Sequence, residues 1–313
     1  MSIPYITVGA DLSDTICTEP VHLNNDISLD FYEQGINIEN IPNIDLVEKK
    51  ESFYYDEDNF VEYLKGDHNI ICLSSNVQSL HSKFNSISIF FNFIEKNAIN
   101  VDVFALQETW KINNPNTVKL PGFKLFFKDR AVGRGGGVGL YVRDIYHSIL
   151  VENCCIFKEN IFESIVVKVE KPESKTAFIV ASLYRPNRHK TLSPSNQLNQ
   201  FFEHFYSFME KLTNLNLPIY IFTDTNIDLL KYGAKAEATE LLDFSTGLGF
   251  KQLISKATRI HGQSHSLIDH IFVNKFHSSE KSGIIVESFS DHFITFTTLN
   301  LNKPKQKHQA YVR

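Results

Sequence analysis

Short apolar runs that stop abruptly on an acid, an amide or a histidine constrain this chain more than any other feature. The fullest example is residues 218–230, PIYIFTDTNIDLL. Ile219, Tyr220, Ile221 and Phe222 form a run long enough for a buried strand and too short for a helix of its own. It ends at Thr223-Asp224-Thr225-Asn226. Residues two apart on a strand point the same way, so Asp224 and Asn226 put a base beside a group that can orient it. Taken alone, the same pair more often opens a turn.

The device recurs. Residues 69–73 read as a buried strand ending in Ser74-Ser75-Asn76, and residues 101–106 as a strand closed by Gln107-Glu108-Thr109-Trp110. Residues 268–273 form a strand with Asp269 and His270 in its first half, and residues 293–299 begin directly after Ser290-Asp291-His292. Helices separate several of these runs. Phe84, Ile87, Phe91 and Ile94 recur at helical spacing, which predicts an amphipathic helix over 82–97. Ser193 and Pro194 suit an N-cap and first position for a helix to about Leu212, with Leu198, Phe201, Phe202, Phe205, Phe208, Met209 and Leu212 inward. A third helix is expected over 236–246, ended by Gly247, and a short one within 54–64.

Between them, residues 123–184 alternate β-rich runs with turn signals, the mark of a β-meander rather than repeated βαβ units. Arg134-Gly135-Gly136-Gly137 lies inside it. This triplet lacks the Gly-Lys-Ser/Thr of a P-loop and opens no helix, so it reads as a tight turn with close backbone approach.

Charge divides the chain. Residues 1–67 hold 15 Asp/Glu against three Lys, so they carry −12 of a total of −5 and leave +7 on the remainder. The first part reads as an acidic, largely irregular leader over 1–67, and the basic remainder suits a polyanionic ligand. The basic, apolar-poor residues 302–313 read as a linker. No apolar run approaches a membrane span, and the start, MSIPYITVGADLSD, lacks the regions of a signal peptide, so no membrane partner and an intracellular location are expected. Cys17, Cys72, Cys154 and Cys155 form no Cys-x-x-Cys, which indicates neither zinc nor a disulfide framework.

Asn76, Glu108, Asp224, Asn226, Asp269, Asp291 and His292 therefore all sit near strand termini, where a packed sheet can bring them together. Hard oxygens with one His and two amides suit Mg²⁺ and phosphate chemistry. Nine segments in order, SSNVQSL, VDVFALQETW, KDRAVGRGGGVGLYVR, FESIVVKV, SLYRP, IFTDTNIDLL, ATRI, SLIDHIFVN and SDHFITF, resemble the endonuclease/exonuclease/phosphatase superfamily. Within it they are most similar to the endonuclease domain of non-LTR (LINE-type) retrotransposons, over about residues 68–299, which implies a domain spanning 68–301.

The resemblance implies a deoxyribonuclease-I-like fold, a four-layer α/β/β/α sandwich of two mainly antiparallel sheets with helices outside. It implies that Glu108 ligates Mg²⁺, with Mn²⁺ as an alternative ion, beside Asn76 and Asp291. Asp224 then serves the attacking water, Asn226 holds Asp224 and the phosphate, and His292, oriented by Asp269, stabilises transition-state charge. Tyr184 matches a tyrosine close to the scissile phosphate. The implied partner is double-stranded DNA, nicked to leave a 3′-hydroxyl, with a reverse transcriptase domain and element RNA in a larger protein and a nuclear or cytoplasmic location. A hairpin over 258–266 is expected to meet DNA through Arg259, His261, Gln263 and His265. Two departures stand out: Gln78 where the family often has Arg, and Thr223 and Thr225 where it usually has a Gly and an apolar residue. An abasic-site endonuclease or phosphatase of the same fold, or a decayed nucleic-acid-binding protein, are the alternative readings.

Overall fold

Two βαβ units, one in each of two sheets, carry the strand ends that matter. The computed structural model describes residues 52–301 apart from 132, 134, 175, 188–190, 278 and 288. The acidic residues 1–51 and the basic linker therefore lie outside the described residues, as does Arg134.

The chain opens with β1 (Tyr54–Tyr55) and α1 (Glu57–Leu64), whose N-cap Asp56 accepts the Asn59 N–H. β2 (Ile70–Asn76) passes through α2 (Leu80–Lys96) to β3 (Val101–Gln107), and β2 and β3 pair in parallel. β4 (Phe123–Lys128), β5 (Val138–Arg143), β6 (His147–Leu150), β7 (Phe157–Lys158), β8 (Phe162–Glu170) and β9 (Ala177–Tyr184) form the expected run of β elements, shared between the sheets. α3 (Pro194–Thr213), capped by Ser193, returns the chain to β10 (Ile219–Asp224), parallel to β9. Then follow α4 (Ala236–Gly247), β11 (Lys251–Gln252), β12 (Arg259–His261), β13 (Ser264–Ser266), β14 (Asp269–Val273), β15 (Ser282–Ile285) and β16 (Ile294–Leu299). One sheet has the order β1-β15-β16-β2-β3-β5-β4 and the other β11-β14-β10-β9-β8-β6, with β7 beside β8. Apart from β2/β3, β9/β10 and β1/β15, neighbours run antiparallel.

Alternation along the strands builds the layers. On β2, Ile71 and Leu73 face the cluster under α2, while Ile70 and Cys72 face the space between the sheets. Burial on both faces explains why these strands read as continuous apolar runs. Phe201, Phe205, Phe208 and Leu212 of α3 and Leu241 of α4 belong to the cluster of the second sheet. The result is the α/β/β/α sandwich expected from the sequence, and no helix among the described residues is long and apolar enough to cross a membrane.

Parallel pairing aligns strand directions, so the C-terminal ends of β2 and β3 lie together, as do those of β9 and β10. A buried polar tie holds the two pairs face to face. Gln107 donates through Nε2 to Ser182 Oγ at 3.0 Å and to the Phe222 carbonyl at 3.3 Å, while Ser182 Oγ donates to the Leu106 carbonyl at 2.8 Å. Each polar atom in this tie has a partner, as its burial demands.

One boundary moves. Residues 52–67, expected within the leader, contain β1, which pairs with β15, and α1, whose Phe60 and Leu64 are buried in the cluster of the first sheet. The short helix expected within 54–64 is present as α1, and Tyr55, Phe60, Val61, Tyr63 and Leu64 pack it and β1 onto the first sheet's cluster. Tyr55 stacks on Tyr63 at 4.8 Å and meets the edge of Phe296 at 5.6 Å. Tyr55→Ala is expected to lower the unfolding free energy by about 3 kcal/mol, as for other buried aromatic truncations. Urea denaturation measures it, and a loss below about 1 kcal/mol would separate this segment from the fold.

Candidate active site

Two carboxylates from different sheets meet over one amide. Glu108 follows the end of β3 in the first sheet, and Asp224 ends β10 in the second. Asn76, at the end of β2, donates through Nδ2 to Glu108 Oε1 at 3.1 Å and to Asp224 Oδ2 at 2.7 Å. Its own oxygen accepts the Gln78 N–H at 3.2 Å. Asn76 is thus a clasp between the carboxylates here, with its oxygen turned away from them. Tyr184 donates its hydroxyl to Glu108 Oε1 at 2.8 Å, and Trp110 donates Nε1 to Glu108 Oε2 at 3.3 Å.

The backbone that presents these groups is strained. Gln78, Ser79, Glu108, Trp110 and Asn226 have positive φ, from 43° to 94°, although none is glycine. Each such residue costs on the order of 1 kcal/mol or more and persists only where its surroundings hold it. Here the surroundings are a ladder of loops. Ser79 N–H donates to the Glu108 carbonyl at 2.9 Å, and Trp110 N–H to the Gly136 carbonyl at 2.8 Å. Gly137 N–H donates to buried Glu163, which also pairs with Arg130. A Cβ on Gly137, at φ +85°, would lie 2.5 Å from Thr109 Oγ1. The glycine turn therefore supports the Glu108 loop by close backbone approach, as its composition implied.

The second sheet supplies a histidine held from below. β10 and β14 pair so that Asp224 stands opposite Asp269. Asp269 accepts His292 Nδ1 at 3.0 Å on both oxygens and the Thr258 hydroxyl at 2.6 Å, which fixes the ring and leaves Nε2 facing the site. Burial opposes charge on His292, but Asp269 outweighs it and raises the ring to about 9. Burial, with the nearby Asp269 charge, pushes Asp224 up to about 7, against the pull of His292 and Asn76. A carboxyl poised near neutrality beside a cationic donor suits general base chemistry.

Asn226 holds Asp224 by its main chain, N–H to Oδ1 at 3.0 Å, while its side chain donates to the Arg185 carbonyl at 2.8 Å. Asp291 is tied up. Arg259 donates Nε to its Oδ2 at 2.7 Å, and Gln78 donates Nε2 to its Oδ1 at 2.6 Å. Burial alone would raise Asp291, yet the Arg259 hydrogen bond and charge hold it below the ordinary carboxylate value. Arg259 thus turns inward, whereas His261 and Gln263 are exposed on the β12–β13 hairpin and His265 is half-buried.

Glu108 is the oxygen donor best placed for a hard cation, because its three partners, the Asn76 amide, the Trp110 indole and the Tyr184 hydroxyl, are all neutral and leave its charge uncompensated. Asp224, Asp269 and His292 also bring one ligand atom each within 4.8 Å of one another. The bond from His292 Nδ1 to Asp269 makes that group a positioned donor pair first.

Sequence reasoning missed the groups beneath the Asp224 turn. His270, fully buried, receives a hydrogen bond at Nδ1 from Gln252 Nε2 at 3.2 Å, so its proton sits on Nε2. From there it donates to Thr225 Oγ1 at 2.9 Å and the Ile227 carbonyl at 3.2 Å. Arg185 donates to the Thr225 carbonyl at 3.0 Å. Thr225, a departure from the family pattern, is therefore anchored at both its hydroxyl and its carbonyl. The one available signal for His270 was a second polar residue directly after Asp269 inside the otherwise apolar run IDHIFV.

The geometry and the comparisons agree on the family. An endonuclease/exonuclease/phosphatase family model matches residues 73–292. The chain belongs to this family. Its members hydrolyse phosphate esters and phosphodiesters. The Xenopus laevis APE2 catalytic domain is 16% identical, with TM-score 0.54 over 75% of this chain and 94% of that one. An AP endonuclease from Archaeoglobus fulgidus is 16% identical, with TM-score 0.53 over 74% of this chain and 100% of that one. Humanized D. rerio TDP2 is 14% identical, with TM-score 0.51 over 75% and 100%. At such identities these structures share the fold. No curated protein matches the sequence.

His270 makes stability pH-dependent. Burial lowers its folded value to about 4 from 6.5, so the neutral ring is favoured in the fold. The stabilisation is present above pH 6.5 and is lost as pH falls toward 4, because the unfolded chain then binds the extra proton. Keeping the ring neutral down to about pH 4 is worth on the order of 3 kcal/mol. Denaturant midpoints measured from pH 7 to 4 should fall more steeply for the parent than for His270→Gln, and parallel curves would refute the assignment.

Proposed function

We propose that this chain is a divalent-metal-dependent endodeoxyribonuclease of the retrotransposon type, nicking one strand of duplex DNA to leave a 3′-hydroxyl. The observation that carries this reading is the convergence of Glu108, Asp224, Asp269 and His292, from four separate segments, around the Asn76 clasp. The ordered segments from SSNVQSL to SDHFITF favour the retrotransposon type over the abasic-site and phosphatase alternatives. The hairpin over 258–266 adds a surface that a long duplex, and not a small phosphate ester, could use.

In this mechanism Asp224 Oδ accepts a proton from a water that attacks phosphorus, and the phosphorus–O3′ bond breaks. The departing O3′ takes a proton from solvent water and leaves as the hydroxyl, while the oxygen of the attacking water stays on the 5′-phosphate. His292 Nε2 donates to a non-bridging phosphoryl oxygen as charge grows there, and Asp269 keeps the ring turned for that donation. Tyr184 and Trp110 orient the Glu108 carboxylate. A bound Mg²⁺, which Glu108 would hold, supplies Lewis-acid neutralisation of phosphate charge. Asn76 holds the two carboxylates side by side by donating to both. The catalytic unit, on this reading, works within a nucleus and beside a reverse transcriptase and its RNA.

Supercoiled plasmid incubated with the chain and Mg²⁺ should relax to nicked circles whose ends a polymerase extends without prior phosphatase. Asp224→Ala and His292→Ala should each slow nicking by about 10²-fold or more while circular dichroism is retained, as expected for a lost base or charge-stabilising donor. Near-parental rates in either would remove that residue from the reaction. Glu108→Gln should raise the Mg²⁺ concentration for half-maximal nicking while duplex affinity in EDTA is kept. An unchanged Mg²⁺ dependence would take Glu108 out of the metal site.

A further inference from the structure

Asp291 is bound on both oxygens in a way that links two loops. Arg259 sends Nε to Oδ2 at 2.7 Å and Nη2 to the same oxygen at 2.5 Å, while Gln78 takes Oδ1 at 2.6 Å. Arg259 is the first residue of β12, and the β12–β13 hairpin belongs to neither large sheet. Its other ties to the lead-in of β16 are the Phe293 N–H to Thr258 carbonyl bond at 2.8 Å and the Arg259–His292 bridge. Among the described residues no other ion pair reaches the hairpin, and residues 261–264 stand exposed beyond it. On the far side, Gln78 is held by the oxygen of Asn76. One chain of contacts therefore runs from the hairpin through Arg259, Asp291 and Gln78 to the clasp, passing 3.8 Å from His292 Nε2.

We infer that Asp291 is the dock of the hairpin, a positioning residue that with Arg259 fixes which phosphodiester of a bound duplex reaches Asp224 and His292. The inference rests on the endonuclease reading of the site. The Arg259 guanidinium already compensates the charge of Asp291, and a cation approaching Oδ2 meets that positive charge, whereas Glu108 has only neutral partners. A planar guanidinium fixes orientation as well as distance, so the pair sets the angle at which the hairpin leaves the body. Where the hairpin touches DNA relative to the scissile phosphate sets the nick position, because contacts to the backbone determine register. Asp291 thereby serves target choice rather than metal binding.

The test compares the parent with Arg259→Gln, Asp291→Ala and the double variant, all in the full chain. Both side chains are partly exposed, so neither change should unfold the protein. In metal-free protein without DNA, amides of β12 and β13 should exchange about tenfold faster in each single variant, with those of β2 and β3 unchanged. The double variant should be no faster than the singles. On a long duplex both single variants should shift nicks to the same new positions, with the Mg²⁺ requirement unchanged. Unaltered hairpin exchange in either single variant overturns the dock, and a raised Mg²⁺ requirement in Asp291→Ala that Arg259→Gln lacks returns Asp291 to the metal. A parent that fails to nick refutes the endonuclease reading instead, and hydrogen exchange still decides the dock.

Discussion

The amide of Asn76 lets two like-charged side chains from separate sheets share one small buried space. Asp224 and Asn76 are fully buried, and Glu108 lies one hydrogen bond away. Without a donor between them the carboxylates would repel and the sheets would be driven apart at their C-terminal ends. The donor acts only because Gln107 and Ser182 tie the same strands deeper in the sandwich. Site and core are thus one polar column through the middle of the molecule, and loosening either end displaces the other.

That column explains why strain gathers where it does. Glu108 and Asn226 occupy left-handed backbone conformations, and each is held by neighbours that are themselves fixed, the glycine turn on one side and the Arg185 and His270 contacts on the other. Arg185 is nearly buried, and burial lowers its hold on the proton, yet its guanidinium finds main-chain carbonyls beneath the turn. Rigid support of this kind fixes Asp224 and His292 relative to each other, which on the proposed reading spares the reaction any reorganisation of base and donor.

Much of this was legible in the sequence because strand ends announce themselves. Glu108, Asp224, Asp269 and His292 each terminate or precede an apolar run, and their types already spelled phosphate chemistry. Helix ends were equally readable from Ser193 and Pro194, which cap and begin α3. What stayed hidden depends on register between distant strands. His270 lies in plain view in IDHIFV, but its partners Thr225 and Gln252 become neighbours only when β14 pairs with β10 and β11. Asp291 looked like one more oxygen ligand until Arg259 and Gln78, 32 and 213 residues away in sequence, were seen to hold it. The helix within 54–64 was expected and its apolar residues were legible, but the acidic composition of 52–67 assigned it to the leader, whereas Phe60 and Leu64 pack it into the fold.

The claim that everything turns on the clasp is most directly tested by replacing its amide with an apolar side chain of similar size, Asn76→Leu, and measuring single-turnover nicking of a duplex at saturating protein. The account predicts a rate lower by about 10²-fold or more, as when a group positioning a base is lost, with duplex affinity little changed. A variant that nicks at the parental rate would contradict it.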